Sequence, residues 1–202
     1  ATVALPAGKG EAFAAFAREL DAALKNEYAV TDPGVALECV PSSADRAVSP
    51  ERTAVLLRAL AVLPHGVEAM DTDFPGLVQT SLNMGVVRLD DAGLHVTFSI
   101  RSSIASRKEM LAQRVRAAAE LAGGTVTERG VYPGWQYRRD SQFRETLLAA
   151  YKDLTGKDGV VEATHGGLEC GLFMEKLPGL DAVSLGPDIL DIHSVRERLG
   201  VS

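Results

Sequence analysis

The chain has 202 residues, 46% of them hydrophobic, and a formal net charge of −6. That much apolar material can bury the core of one large domain or two small ones, which excludes disorder as the main state. The negative balance, with no compensating Lys/Arg run, excludes nucleic acid as a partner held by general phosphate attraction. No stretch approaches the roughly 20 apolar residues of a membrane span, and the opening ATVALPAGKGE lacks the basic, apolar, small-residue order of a signal peptide. No membrane is therefore expected, and a cytoplasmic setting is. Cys39 and Cys170, the only cysteines, give neither a disulfide framework nor a C-x-x-C pair. An apolar run opening at Ala1 and a charged turn just before Ser202 give both ends a cut look, as in a fragment.

In chain order, Ala1 to Leu5 reads as a short strand. Gly8 to Tyr28 reads as an amphipathic helix, with Phe13, Phe16, Leu20, Ala23 and Leu24 at helical spacing. Gly34 to Val40 is strand-like, and Ser49-Pro50 has the cap and first-turn proline of a helix running to about Leu63, stopped by Pro64-His65-Gly66. Val78 to Leu89 and Leu94 to Arg101 are the clearest strands, the second alternating Leu94, Val96, Phe98 and Ile100 against His95, Thr97, Ser99 and Arg101. A three-residue loop of Asp91, Ala92 and Gly93 sets Asp90 opposite Leu94 and Asn83 opposite Arg101, with Leu82, Met84 and Val86 on the apolar face. Ser106 and Glu109 form a capping box for a helix to about Leu121, ended by Gly123-Gly124, and Thr125 to Val131 follows as a strand. Two helices with antiparallel strands make this part α+β. Tyr132-Pro133-Gly134-Trp135 is a linker, with a domain boundary near residues 132–136. Beyond it, Asp140 caps a helix with the stripe Phe143, Leu147, Tyr151 and Leu154. Then come a strand at Gly159 to Ala163, the loop ATHGGLECG, a short helix and a strand at Asp181 to Leu185, an alternation that reads as part of a parallel α/β sheet.

Three places hold candidate chemistry. His193 follows the Gly186-Pro187 turn, near the carboxyl edge of a strand, where open α/β sheets collect ligands; the alternative is a surface loop histidine. His165 precedes Gly166-Gly167, where backbone N–H groups can approach an anion; the alternative is a plain turn. Asn83 beside Arg101 would clamp a carboxylate or carbonyl, or else belong to a wetted sheet face. Cys170, near the start of the short helix, leaves a cysteine-dependent amidohydrolase using His165 as a further alternative. No H-E-x-x-H, Walker loop or G-x-S-x-G occurs.

TSLNMGVV (80–87), IRSS (100–103), YPGWQ (132–136), THGGLECGLF (164–173) and SLGPDILDIHS (184–194), taken in order, resemble the aminoacyl-histidine dipeptidases. These carnosinase-like metallopeptidases hydrolyse Xaa-His dipeptides. The matched segments cover residues 78–194 and reach the first 77 residues only loosely. The resemblance implies an α/β protein: an α+β lid of antiparallel strands with two helices over 1–134, then the C-terminal part of an α/β catalytic domain over 135–202. It implies two zinc ions in the intact enzyme, with His193 as the last zinc ligand. It also implies that Asn83 and Arg101 hold the dipeptide's carbonyl and carboxylate, while the loop with His165, Gly167 and Glu169 faces the substrate. The other zinc ligands and the glutamate general base would lie in an N-terminal half outside this chain, so no catalytic base is assigned here and the chain alone is expected to be inactive. The family's H-S-P with an acidic residue two further on is replaced by Ser194, Val195, Arg196 and Glu197. A homodimer through the lid is a further expectation. The competing reading is a lid-like module that binds a ligand or dimerises by itself, without catalysis.

Overall fold

The computed structural model describes residues 1–200. The chain divides into two compact units, one over Ala1–Ala54 and one from Val55 onward.

In the first unit, α1 (Gly10–Glu27) forms where the apolar spacing predicts it. Ala17 is its buried residue and the Phe13 and Phe16 rings lie 6.4 Å apart. The expected strands at Ala1 to Leu5 and Gly34 to Val40 do not form among the described residues. The second stretch spends its backbone differently: Leu37 N donates to Asp21 Oδ1 (2.8 Å), a carboxylate on α1 that also takes Lys25 Nζ (2.7 Å). A peptide N–H committed to a helix side chain is lost to any ladder. Helix α2 (Pro50–Val62) starts at the Ser49-Pro50 signature, Arg52 N donating to Ser49 Oγ at 3.3 Å, and it runs in sequence across the division.

The second unit is built on an antiparallel sheet in the order β1 (Gly66–Met70), β2 (Val78–Asp90), β3 (Gly93–Ser102). β1 has no apolar alternation to announce it; it exists by pairing with β2, with two irregularities in register. The β2–β3 hairpin corrects the expected register. Its loop has two residues, Asp91 and Ala92, so Asp90 pairs with Gly93 (φ 139°) and Leu89 with Leu94. Asp90 Oδ1 accepts Ala92 N and fixes the turn. A bulge at Gly85 then moves the pairing again, so Val86 faces Thr97 while Asn83 faces Ser99 and Ser81 faces Arg101. Val86 thereby leaves the apolar face and is exposed; Leu82, Met84, Phe98 and Ile100 keep it.

Helix α3 (Ala105–Leu121) covers that face, and Leu82, Leu111 and Val115 form a core with Leu63, Phe98, Ile100 and Val126 against it. The capping box does not form. Ile104 is the N-cap, and Glu109 accepts Gln113 Nε2 (2.9 Å) one turn on instead of reaching back. The buried Ser102 hydroxyl, 2.8 Å from Thr80 Oγ1, ties down both the N–H and the carbonyl of Ile104. Gly123-Gly124 ends α3 as expected, Gly124 N returning to Ala119 O at 2.8 Å. Thr125 to Val131 is not a strand: Val126 packs into the core and Glu128 pairs with Arg116, so side chains on α3 anchor it in place of a ladder.

Helices α4 (Gln142–Thr155) and α5 (Glu169–Lys176) form as the sequence implies, but the cap of α4 is Ser141, one residue past Asp140. The expected strands at Gly159 to Ala163 and Asp181 to Leu185 are absent among the described residues. A strand needs a neighbour, and parallel neighbours come from distant sequence. A two-stranded ladder that the sequence did not suggest, β4 (Ile189–Leu190) with β5 (Arg198–Leu199), closes the loop that carries His193. The segment expected as a linker lies inside the second unit. Just after it, Arg139 pairs with Asp73 (2.8 Å) and Tyr137 meets Phe74 edge to face (4.8 Å). Arg144 lies over Tyr137 (4.9 Å) and donates to the carbonyls of Arg138 (2.6 Å) and Arg139 (2.7 Å).

Candidate functional site

Arg101 sits near the end of β3, exposed on the polar face and one residue before the buried Ser102. Alternation along the strand puts Ser81, Asn83 and Ser99 on the same face. Asn83 is a diagonal neighbour of Arg101, not its direct partner, and such neighbours stand about 7–8 Å apart. Its amide nitrogen leans along the strand toward Gly85, 3.5 Å from where a Cβ would stand. The two-residue turn and the bulge at that glycine together move Asn83 from opposite Arg101 to opposite Ser99.

Arg101 has another neighbour. His165, half-buried in the loop before α5, titrates below the usual histidine range, first because burial disfavours the imidazolium and second because the Arg101 guanidinium faces it. The loop bends on itself through Gly166 N, which donates to Thr164 Oγ1 at 3.0 Å, and it enters α5 at Glu169. Gly167 and Glu169 are exposed, and Cys170 is half-buried in the first turn of α5. Two stretches that the sequence singled out separately, IRSS and THGGLECG, are thus brought together around a cation and a neutral imidazole. Such a pair can hold a carboxylate and exchange a hydrogen bond with a neighbouring peptide group.

His193 occupies the β4–β5 loop with φ 64°, and Asp191 with φ 54°, both in the left-handed region that costs a non-glycine residue energy. The loop is tied internally to hold them. His193 N donates to Glu197 Oε2 (2.8 Å), Gly200 N to Asp188 O (2.7 Å), and Arg198 pairs with Asp191 (3.3 Å). Glu197, two positions past Val195, is the acidic residue that ties the loop through the His193 N–H. The His193 side chain is exposed, and no group of three or more His, Cys, Asp or Glu among the described residues could hold a metal ion. One imidazole does not make a zinc site, so the described residues do not by themselves fit the metal.

Sequence reasoning missed Ser81, which faces Arg101, and Tyr132, whose ring lies against Gly167. The only signal for the second was the unusual YPGW run itself, which holds the chain's one tryptophan.

No family profile matches the chain. Over all 202 residues it is 33% identical to the cytosol non-specific dipeptidase of Escherichia coli (strain K12), spanning 42% of that protein. Its fold is similar to the crystal structure of aminoacylhistidine dipeptidase from Vibrio alginolyticus, with a TM-score of 0.82 and 31% identity over 96% of this chain and 40% of that one. The chain thus spans about two fifths of the length of each. The resemblance read from the sequence is borne out, and it extends through the first 77 residues, where the motifs were loose. The mixture of helices with an antiparallel sheet matches that structure and the expected class.

Proposed function

We propose that this chain supplies a substrate-orienting lid, residues 1–134, and a C-terminal part of the catalytic domain, residues 135–202, of a zinc-dependent dipeptidase that hydrolyses Xaa-His dipeptides. The electrostatic influence of Arg101 on His165 carries this reading, because it relates the lid strand to the GGLECG loop. Arg101 takes the dipeptide's carboxylate, and Asn83, further along the same face, its carbonyl end. His165, Gly167 and Glu169 form the opposite wall. His193, presented by its braced loop, is one donor to a zinc ion whose remaining ligands and whose general base come from other segments. His193 would help to hold a zinc ion that would supply Lewis-acid chemistry in the intact enzyme; the other described residues would bind and orient the substrate. The similarity runs through both sides of position 134, so a self-sufficient lid module is not favoured.

A homodimer through the lid and a cytoplasmic setting belong to the same proposal. The E. coli relative is named for the cytosol, and no described helix is long and apolar enough to cross a membrane. Light scattering on the intact protein checks the first.

Metal content and hydrolysis of an Xaa-His dipeptide by the intact protein test the core of the reading. His193→Ala should lose one zinc and most activity, whereas His165→Ala should keep its zinc and raise KM. Full zinc occupancy in the His193 variant would make His193 an ordinary loop histidine.

A further inference from the structure

Tyr132-Pro133-Gly134-Trp135 has no regular secondary structure, yet it is gripped from three sides. From α3, Lys108 Nζ donates to Tyr132 O. From the end of β3, the carbonyls of Ser102 and Ser103 come so close to Gly134 that a Cβ there would lie 2.7 and 2.8 Å from them. From the GGLECG side there are two contacts. A Cβ at Gly171, in α5, would stand 3.2 Å from Pro133 O, and one at Gly167 would collide with the Tyr132 ring, 3.0 Å from its Cγ. Gly167 is not among the positive-φ glycines, so its backbone does not demand glycine; the ring does.

These contacts make a short route between the two sides of the candidate site: Arg101, the adjoining Ser102, Gly134, Tyr132, Gly167 and then His165. We infer that Tyr132 is a positioning residue whose ring, seated on Gly167, sets where the 164–171 loop stands relative to Arg101, and so the width of the pocket that receives the dipeptide. The kinetic part of this rests on the dipeptidase reading; the packing part does not. Burial raises the pKa of the Tyr132 hydroxyl, and the neighbouring Glu169 and Cys170 raise it further, so the side chain stays a neutral phenol against the first turn of α5. The ring, and not a charge, does the positioning.

The test is a double-mutant cycle in the intact, zinc-loaded protein. Tyr132→Ala should raise KM for an Xaa-His dipeptide by on the order of ten- to a hundredfold, since small misplacements of a binding group cost that much. Zinc content and kcat should change little. Tyr132→Phe, which keeps the ring, should restore the wild-type KM. Gly167→Ala should be costly in the wild-type background and nearly silent once Tyr132 is alanine. Amide exchange of residues 164–171 should quicken in Tyr132→Ala, and the emission of Trp135, read as the difference from the same proteins carrying Trp135→Phe, should shift with it. If the wild-type protein hydrolyses no dipeptide, the proposed function fails, while exchange and emission still decide the packing. If Gly167→Ala does not fold, the Tyr132→Ala results decide alone. Unchanged loop exchange in Tyr132→Ala, or an equal cost of Gly167→Ala in both backgrounds, overturns the inference.

Discussion

The exposed Arg101 guanidinium acts electrostatically on the half-buried His165 imidazole. Because the folded-state pKa of His165 lies below its ordinary value of about 6.5, the unfolded chain takes up the proton first as pH falls. His165 therefore costs nothing at neutral pH and destabilises the fold increasingly below about 6.5. Arg101→Ala should raise the His165 pKa, read by NMR titration, without restoring it fully, since burial is the larger cause. If the proposed dipeptidase reading holds, the same substitution in the intact protein should remove about 1.5–3 kcal/mol from transition-state binding, seen as a lower kcat/KM. It should leave the thermal midpoint nearly unchanged, because the side chain is exposed. An unmoved His165 titration would mean that solvent screens the pair. Both residues stand in motif words of the sequence, but that Arg101 acts on His165 was not legible there, because it depends on tertiary contacts that spacing does not encode.

Helix α4 shows what capping adds. Ser141 is 4% exposed; its Oγ accepts Arg144 N (3.0 Å) and donates to Asp181 (2.7 Å), whose other oxygen accepts Phe143 N (3.1 Å). These hydrogen bonds hold the Asp181 carboxyl below the usual carboxylate range, Ser141 contributing most. Ser141→Ala should cost about 1 kcal/mol in chemical denaturation. The stabilisation from Asp181 is present above the ordinary carboxylate pKa of about 3.9 and lost as pH falls through its lower folded value. The mutant's deficit should therefore shrink in strong acid; a deficit independent of pH would point to packing alone. Helices were the legible elements, since their start and stop signals are local. The hairpin was legible as a hairpin but not in register, because a two-residue turn in place of three and a bulge at Gly85 each shift the pairing by one. Five expected strands were not found, because apolar runs announce burial while a strand also requires a neighbour.

At the scale of the whole molecule, sequence motifs placed a boundary near residue 134, whereas the compact units meet at Ala54. The 132–135 grip and the Asp73–Arg139 contact join what lies before and after that position, which is why the motif-based boundary does not part the second unit. Local composition reads as a turn at 132–135, where the chain has no regular secondary structure, and does not reveal the contacts that hold that segment.

The Asp73, Tyr137 and Arg144 cluster has a bearing on proteolysis. Arg138-Arg139 is a dibasic pair, a sequence that trypsin cuts readily once it can adopt an extended form in the protease cleft. Here the carbonyls of both residues, the atoms a protease must polarise, are held by the guanidinium of Arg144, itself only 13% exposed, and Arg139 is engaged by Asp73. Cleavage at this pair requires that the cluster open first, so its rate should follow local opening and not the accessibility of the arginines. Arg144→Ala should turn the pair into an early cut in limited digestion followed by mass spectrometry, at a protease dose that leaves the native pair whole.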